Sequence, residues 1–390
     1  MKCLITKLHG VVENNDLPRL GCIKVSVKSE GTSRLKFNVT GNGVTMYSKN
    51  KEKVFVSNTD SSLSAESSEA CSVNITGTVV LFITNKYAIE TFDIYKESGD
   101  GVVVNMDFDQ LKYSKKITKF GMSNTNVSGD ISALSGLTGI TEINIQKTDV
   151  SGDISALSGM TGLTSIKMDN SHIEGDISVL ANMTKLTSIS ALNVQLRGDI
   201  SALSGMTGLT YLNMPKMKIS GDISALSGMT ELTYLDMIDT NVSGDISALS
   251  GMTKIITLRL GNTKVTGSLT AIRNINTLQN LLLFKTGING DVSSLSDLIS
   301  MKLISLNESN VSGDITSLKK MISLEFFNIG NLCTGNFKAL CEGMRTQGRN
   351  AGKLSMSAYG GSVKVDDSTV FPNNAVVATF TSSGITYSGV

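Results

Sequence analysis

The sequence predicts a repeat solenoid built on a parallel β-sheet, with an all-β region ahead of it and a short helix plus β cap behind it. Three observations predict this. A Gly-Asp-Ile tripeptide returns every 23 residues through the middle of the chain. Apolar letters inside each interval hold their places while other letters change. Residues 1–100 do not share the interval. A fixed period of this length marks units that cannot bury a core alone and do so by stacking.

Residues 1–100 read as short strands between turns: Cys22–Val27, Arg34–Val39, Val44–Tyr47, Lys53–Val56, Cys71–Ile75 and Val79–Thr84. Gly41-Asn42-Gly43 has hairpin-turn chemistry, and the Ser-rich stretch 57–69 reads as a loop. So many short strands predict a small β-sandwich or barrel. Lys7 and His9 interrupt the apolar start of the chain, so no secretory signal is expected. The longest apolar run is Val79–Ile83, far short of the roughly 20 residues a membrane helix needs.

The solenoid is expected over 101–332, with an incomplete first unit near 102–116 whose Val102, Val104, Phe108 and Leu111 cap the open end. The tripeptide stands at Gly129, Gly152, Gly175, Gly198, Gly221, Gly244 and Gly313, with degenerate copies at Gly267 and Gly290 and a weak tenth at Gly335. One unit starts at Leu163 and reads LTSIKMDNSHIEGDISVLANMTK. Numbering its positions from Leu163, Ile166 and Met168 have the period-2 spacing of a short strand. Ile177, Leu180 and Met183 recur every third residue, which suits a 3₁₀-like return. One strand per unit, stacked in parallel, follows from this reading.

This unit resembles the leucine-rich repeat, LxxLxLxxNxLxGxI, over about Ile117 to Leu332. It looks most like bacterial, plant-type and phage-encoded forms. The opening of the chain together with the array resembles proteins encoded by Bacteroidetes and their phages. The resemblance implies a fold with a concave sheet and a binding rather than catalytic role. Where the repeat usually has Asn, this chain has Thr125, Thr148, Ser171, Thr240, Thr263, Thr286 and Ser309. Their hydroxyls are expected to form a ladder along the stack, interrupted at Val194 and Met217. Behind the array, Phe337, Leu340, Cys341 and Met344 share one helical face after an Asn336 N-cap. Strands are expected around Val363–Val365, Val376–Phe380 and Ile385–Tyr387.

Two features invite a functional reading. The first is a row of aspartates: Asp130, Asp153, Asp176, Asp199, Asp222, Asp245, Asp291 and Asp314. Stacking sets such carboxylates close together, where each pair repels by about 1 kcal/mol in water. The favoured reading is that each caps the turn that follows. A calcium row is the alternative, but calcium takes six to eight oxygens and no second carboxylate accompanies each Asp. The second feature is the concave face, where Leu192, Tyr211, Pro215, Tyr234, Ile238, Leu282, Phe284, Leu303 and Phe326 form an apolar and aromatic stripe. Exposed stripes of this kind favour protein or sugar partners.

Composition excludes several classes. Lys+Arg is 35 against Asp+Glu 34, which is no basic surplus for nucleic acid. His9 and His172 are the only histidines, and no catalytic set, metal site or cofactor motif can be assembled from them. Five cysteines, Cys3, Cys22, Cys71, Cys333 and Cys341, form no CxxC framework; a Cys333–Cys341 pair is left open. The expectation is therefore a non-catalytic binding and structural protein without cofactor. Near-identical units and the missing signal point to a phage virion component, such as a head or tail fibre or decoration protein. Its residues 1–100 would attach to other virion or surface proteins, and its repeat face to a host-surface protein or glycan. A homo-oligomer is compatible with this reading. A bacterial cell-surface adhesin or glycan-binding protein is the alternative, and an intracellular interaction scaffold the second.

Overall fold

The computed structural model describes residues 23–41, 45–48, 53–56, 71–83, 89–98, 102–106, 108–330, 332–349, 351–358, 363–364, 370–371, 375–381 and 384–389. They fall into two compact units, Met1–Leu186 with Ala191–Leu196, and Thr187–Ser190 with Arg197–Val390.

In the first unit, Ile23–Gly41 pairs antiparallel with Cys71–Ile83, from Ile23 opposite Ile83 to Phe37 opposite Cys71. Four of the short strands expected from sequence are thus two long ones. The polar stretch between them is absorbed as a register shift between Ser29 and Ser33 instead of breaking the strand. The expected turn at Gly41-Asn42-Gly43 and the loop 57–69 reach beyond the described residues. Ile89–Ser98 pairs antiparallel with Ile23–Gly41 and parallel with Lys119–Gly121, so the β region runs directly into the inner sheet of the repeats. Phe92 stacks on Phe120 at 6.1 Å and Phe108 meets Phe120 edge-on at 5.7 Å. Val104, Phe108 and Leu111 are buried and close the first repeat's core.

Each repeat has two strands, not one. A three-residue inner strand such as Ser165–Lys167 is followed by a five-residue outer strand such as His172–Asp176, then a 3₁₀ helix such as Ile177–Asn182. The outer strands also pair in parallel with their neighbours. The sequence does not signal them, because their outward positions are polar and their fourth residue is Gly. A residue with φ near +55° links the two strands in every repeat: Asn124, Lys147, Asn170, Asn193, Lys216, Asp239, Asn262, Lys285 and Glu308. Asn tolerates that left-handed conformation, whereas Lys and Glu are strained in it.

The position-nine hydroxyls do not run along the stack as expected. Each donates to the carbonyl three residues back in its own repeat, as Thr240 does to Met237 O at 2.7 Å. Bonds that do run between repeats come from outer-strand hydroxyls, as from Ser243 to Gly221 O at 3.3 Å, and from position two: Thr141 donates to Thr118 O, and Thr164 to Thr141 O, each at 3.0 Å. The same ladder recurs in the second unit, where Thr233 donates to Thr210 O at 3.0 Å. The hydroxyl at position nine instead closes the turn at the strand end by bonding a carbonyl of its own repeat. Val194 and Met217, at the same position, are buried without such a bond to make.

In the second unit the inner strands continue in parallel from Ser188–Ser190 to Phe326–Ile329 and then Gly352–Ala358. Ala375–Thr381 and Gly384–Gly389 extend that sheet with antiparallel pairing. The helix Phe337–Thr346 starts as expected, with Asn336 Oδ1 accepting from Ala339 N at 3.0 Å. Its four expected core residues are buried. Arg349, 5 % exposed, then donates to the carbonyls of Ile322, Leu324 and Lys353 and lies 4.5 Å from the Phe380 ring centre. Those donations tie the last repeat to the strand that follows it.

Candidate functional site

The aspartate row resolves into caps. Each of the eight accepts the N–H of the residue two positions on, at 2.8 Å in seven and 2.9 Å at Asp314. For Asp130, Asp199 and Asp291 the following serine's hydroxyl, then its backbone N–H, hold the carboxyl below the usual aspartate range. For Asp222 and Asp245 the backbone N–H leads and the hydroxyl follows. The conformation makes room for these caps. Gly267 has φ +104°, and a Cβ there would lie 2.6 Å from Asp245 Oδ1. The same relation links Gly152 to Asp130, Gly175 to Asp153 and Gly244 to Asp222. Gly and Asp are therefore one device: each glycine seats the cap of the repeat before it. Among the described residues, no group of three His, Cys, Asp or Glu is placed to hold a metal ion.

The inner sheet of the second unit carries the more varied surface. Its third-position residues stand side by side in the order Ser188, Tyr211, Tyr234, Thr257, Asn280, Leu303, Phe326. Tyr211 and Tyr234 stack at 4.6 Å with 15° between their planes. Beside them Asp236 is 3 % exposed. Its Oδ1 accepts from Ile238 N at 3.1 Å, and Oδ2 meets Arg259 Nη1 at 3.2 Å and Tyr234 Oη at 3.5 Å. Burial pushes the Asp236 carboxyl up, against the hydrogen bond from Ile238 and the Arg259 charge. Burial and then the Asp236 charge push the Tyr234 phenol up. Asp236 therefore works as a buried strut that fixes both Tyr234 and Arg259.

Of the nine stripe residues, Phe326 is exposed, and Leu192, Tyr211, Tyr234, Leu282, Phe284 and Leu303 are half-buried. Pro215 and Ile238 are buried and do not belong to an exposed stripe. Both occupy position seven, immediately before the left-handed residue, where the chain turns out of the strand. Phe284, at the same position, folds back across Gly261. Leu192 lies in the first unit, where its N–H is held by Asp169 Oδ1 at 2.7 Å. Asp236, Arg259 and Gly261 escaped the sequence reading. The signal that finds them is the 23-residue offset, which sets Asp236 beside Arg259 and Gly261 beside Phe284.

The remaining reactive groups are quiet. Burial pushes the Cys333 thiol up to about 11 and the Cys341 thiol up to about 12, and both are free. His172 is exposed on an outer strand. In the first unit, Lys119 pairs with Glu142 at 2.8 Å over a cleft of about 190 Å³ that Asp93 and Gly121 also line. No helix among the described residues is long and apolar enough to cross a membrane.

No family model matches the chain, and no curated protein matches its sequence. Solved structures do match its fold. An internalin of Listeria monocytogenes is 22% identical, with 70% of this chain and 87% of that chain covered and a TM-score of 0.50. The plant peptide hormone receptor RGFR1 in complex with RGF2 is 21% identical, with 58% of this chain and 41% of that chain covered and a TM-score of 0.50. The fold of the array is a leucine-rich repeat solenoid.

Proposed function

We propose that this chain is a non-catalytic recognition protein whose contact surface is the inner sheet of the second unit. The observation that carries this reading is the stacked Tyr211–Tyr234 pair braced by the Asp236–Arg259 ion pair. Aromatic and arginine side chains held in one geometry lose little entropy on contact, which is why they dominate binding energy elsewhere. The repeats support it as well. ISALSGMT recurs unchanged at Ile154, Ile200, Ile223 and Ile246, while inner positions three, five and seven differ in chemistry between the same units. The plant receptor of like fold was solved with RGF2 bound, which supports a polypeptide partner, and the stacked aromatic rings suit a glycan as well.

The finer reading is a phage-particle component, with residues 1–100 attaching to the particle and the inner sheet meeting the host surface. Near-identical units, as recent duplication leaves them, support it. Two measurements test these levels separately. Tyr211→Ala with Tyr234→Ala should weaken binding to peptide or glycan arrays at least about tenfold, the loss of a hot-spot pair; unchanged binding refutes the contact surface. Mass spectrometry should find the chain in purified phage particles. Recovery from a bacterial cell-surface fraction instead would assign it to an adhesin.

A further inference from the structure

The recognition face contains a second aromatic, and its setting differs from that of the tyrosines. A Cβ on Gly261 would lie 2.5 Å from both Cδ1 and Cζ of Phe284, with Cε1 between them nearer still. Three ring carbons at such similar distances put Gly261 under the face of the ring, not at its edge. Gly261 has no left-handed backbone to explain it. Its missing side chain is what lets the ring lie flat on the sheet. Phe284 is half-buried, with Gly261 beneath one side of its ring.

Several polar groups near this ring pair with one another and keep free lone pairs and N–H groups, while Arg259 Nε is buried without a partner. Asn262 Nδ2 donates to Asp239 Oδ1 at 2.7 Å, Lys285 Nζ meets Glu308 Oε1 at 3.4 Å, and Arg259 pairs with Asp236. Arg259 and Lys285 stand here with Asp236, Asp239 and Glu308, so both signs are interspersed with no strong surplus of either. Such a surface offers an ionic ligand no single-sign field. A neutral polyol gains both a π face for its C–H groups and amides and carboxylates for its hydroxyls.

We propose that the Gly261–Phe284 notch is a stacking subsite for a neutral hexose of an oligosaccharide, a reading that rests on the inner sheet being the contact surface. Strand spacing sets the Phe284 repeat about 10 Å from the Tyr234 repeat, within reach of neighbouring sugars of one chain.

The test uses the full chain and calorimetry with four neutral probes: cellohexaose, maltohexaose, laminarihexaose and mannohexaose. At least one should bind. Phe284→Ala and Gly261→Ala should each weaken it about tenfold, the second by lifting an intact ring out of its seat, while Phe284→Tyr binds like the parent. Gly261→Ala together with Phe284→Tyr keeps the result interpretable if Phe284→Ala fails to fold. No binding of any hexaose overturns the proposal, as does binding that neither alanine variant weakens. Peptide-array binding that the Tyr211/Tyr234 double variant abolishes, with no hexaose bound, overturns the sugar subsite and leaves the contact surface standing.

Discussion

Replacing Gly267 by Ala should destabilise the protein through two separable effects. At φ +104° an L residue is strained, at about 1–2 kcal/mol. The new Cβ would also stand 2.6 Å from Asp245 Oδ1 and 2.7 Å from its Cγ, so the carboxylate must leave its seat. That breaks the 2.8 Å bond from Ser247 N, worth about 1 kcal/mol as a helix cap. Gly267→Ala is then expected to lose about 2–3 kcal/mol, and Asp245→Ala alone about 1 kcal/mol. The double variant should lose less than the sum, because a cap already removed cannot be displaced. The coupling should be about 1 kcal/mol, well above the few tenths seen for independent sites. Urea unfolding followed by circular dichroism on the four proteins measures it. Additive losses would refute the view that the glycine exists partly to seat the previous repeat's aspartate.

Three further outcomes are expected. The carboxyls of Asp130, Asp199, Asp222, Asp245 and Asp291 are held below the usual aspartate range, so their contribution is present above that range and lost as pH falls through the lowered values. Melting temperature should therefore drop on acidification, and Asp245→Asn with Asp291→Asn, caps that do not titrate, should make the acid limb shallower; an equally steep limb would refute this. EDTA should leave the midpoint unchanged at neutral pH. Lys216, exposed at φ +61°, should gain about 0.5–1 kcal/mol on replacement by Asn, read as a higher urea midpoint; a loss would mean that the left-handed position is not strained.

The array was legible because its period appears in the letters. Gly-Asp-Ile every 23 residues fixes the stacking, and the N-cap role of each Asp follows from its place before a 3₁₀ turn. The same letters concealed the outer strands, whose alternation is broken by a glycine required at positive φ. They also misled about the hydroxyls. Thr240 and Thr233 look equally able to bridge repeats, but only the position-two residue faces its neighbour's carbonyl. Ahead of the array, no period exists to pin strand limits, and a register shift at Ser29/Ser33 looks like a chain break. At the proposed contact surface, Tyr211 and Tyr234 could be named from their shared place in the repeat. Asp236, Arg259 and Gly261 required the lateral partner to be known first.

That difference bears on how such a surface can change. Each outer segment is bound to the next repeat through a glycine and an aspartate that must match, so a change at Gly244 also disturbs Asp222. The inner positions are coupled more loosely. Asp236 needs Arg259, and Phe284 needs Gly261, but these are pairs of side chains on neighbouring strands, not a chain running the length of the stack. Two substitutions at a 23-residue offset can therefore rebuild one patch of the inner face without touching the caps. A scaffold with that property holds its contacting groups rigidly and still permits the contacts to be rewritten patch by patch. Rigid placement keeps the entropy lost on binding small. Patchwise freedom is what a recognition surface requires and a catalytic constellation, whose groups must all stay in register at once, does not tolerate.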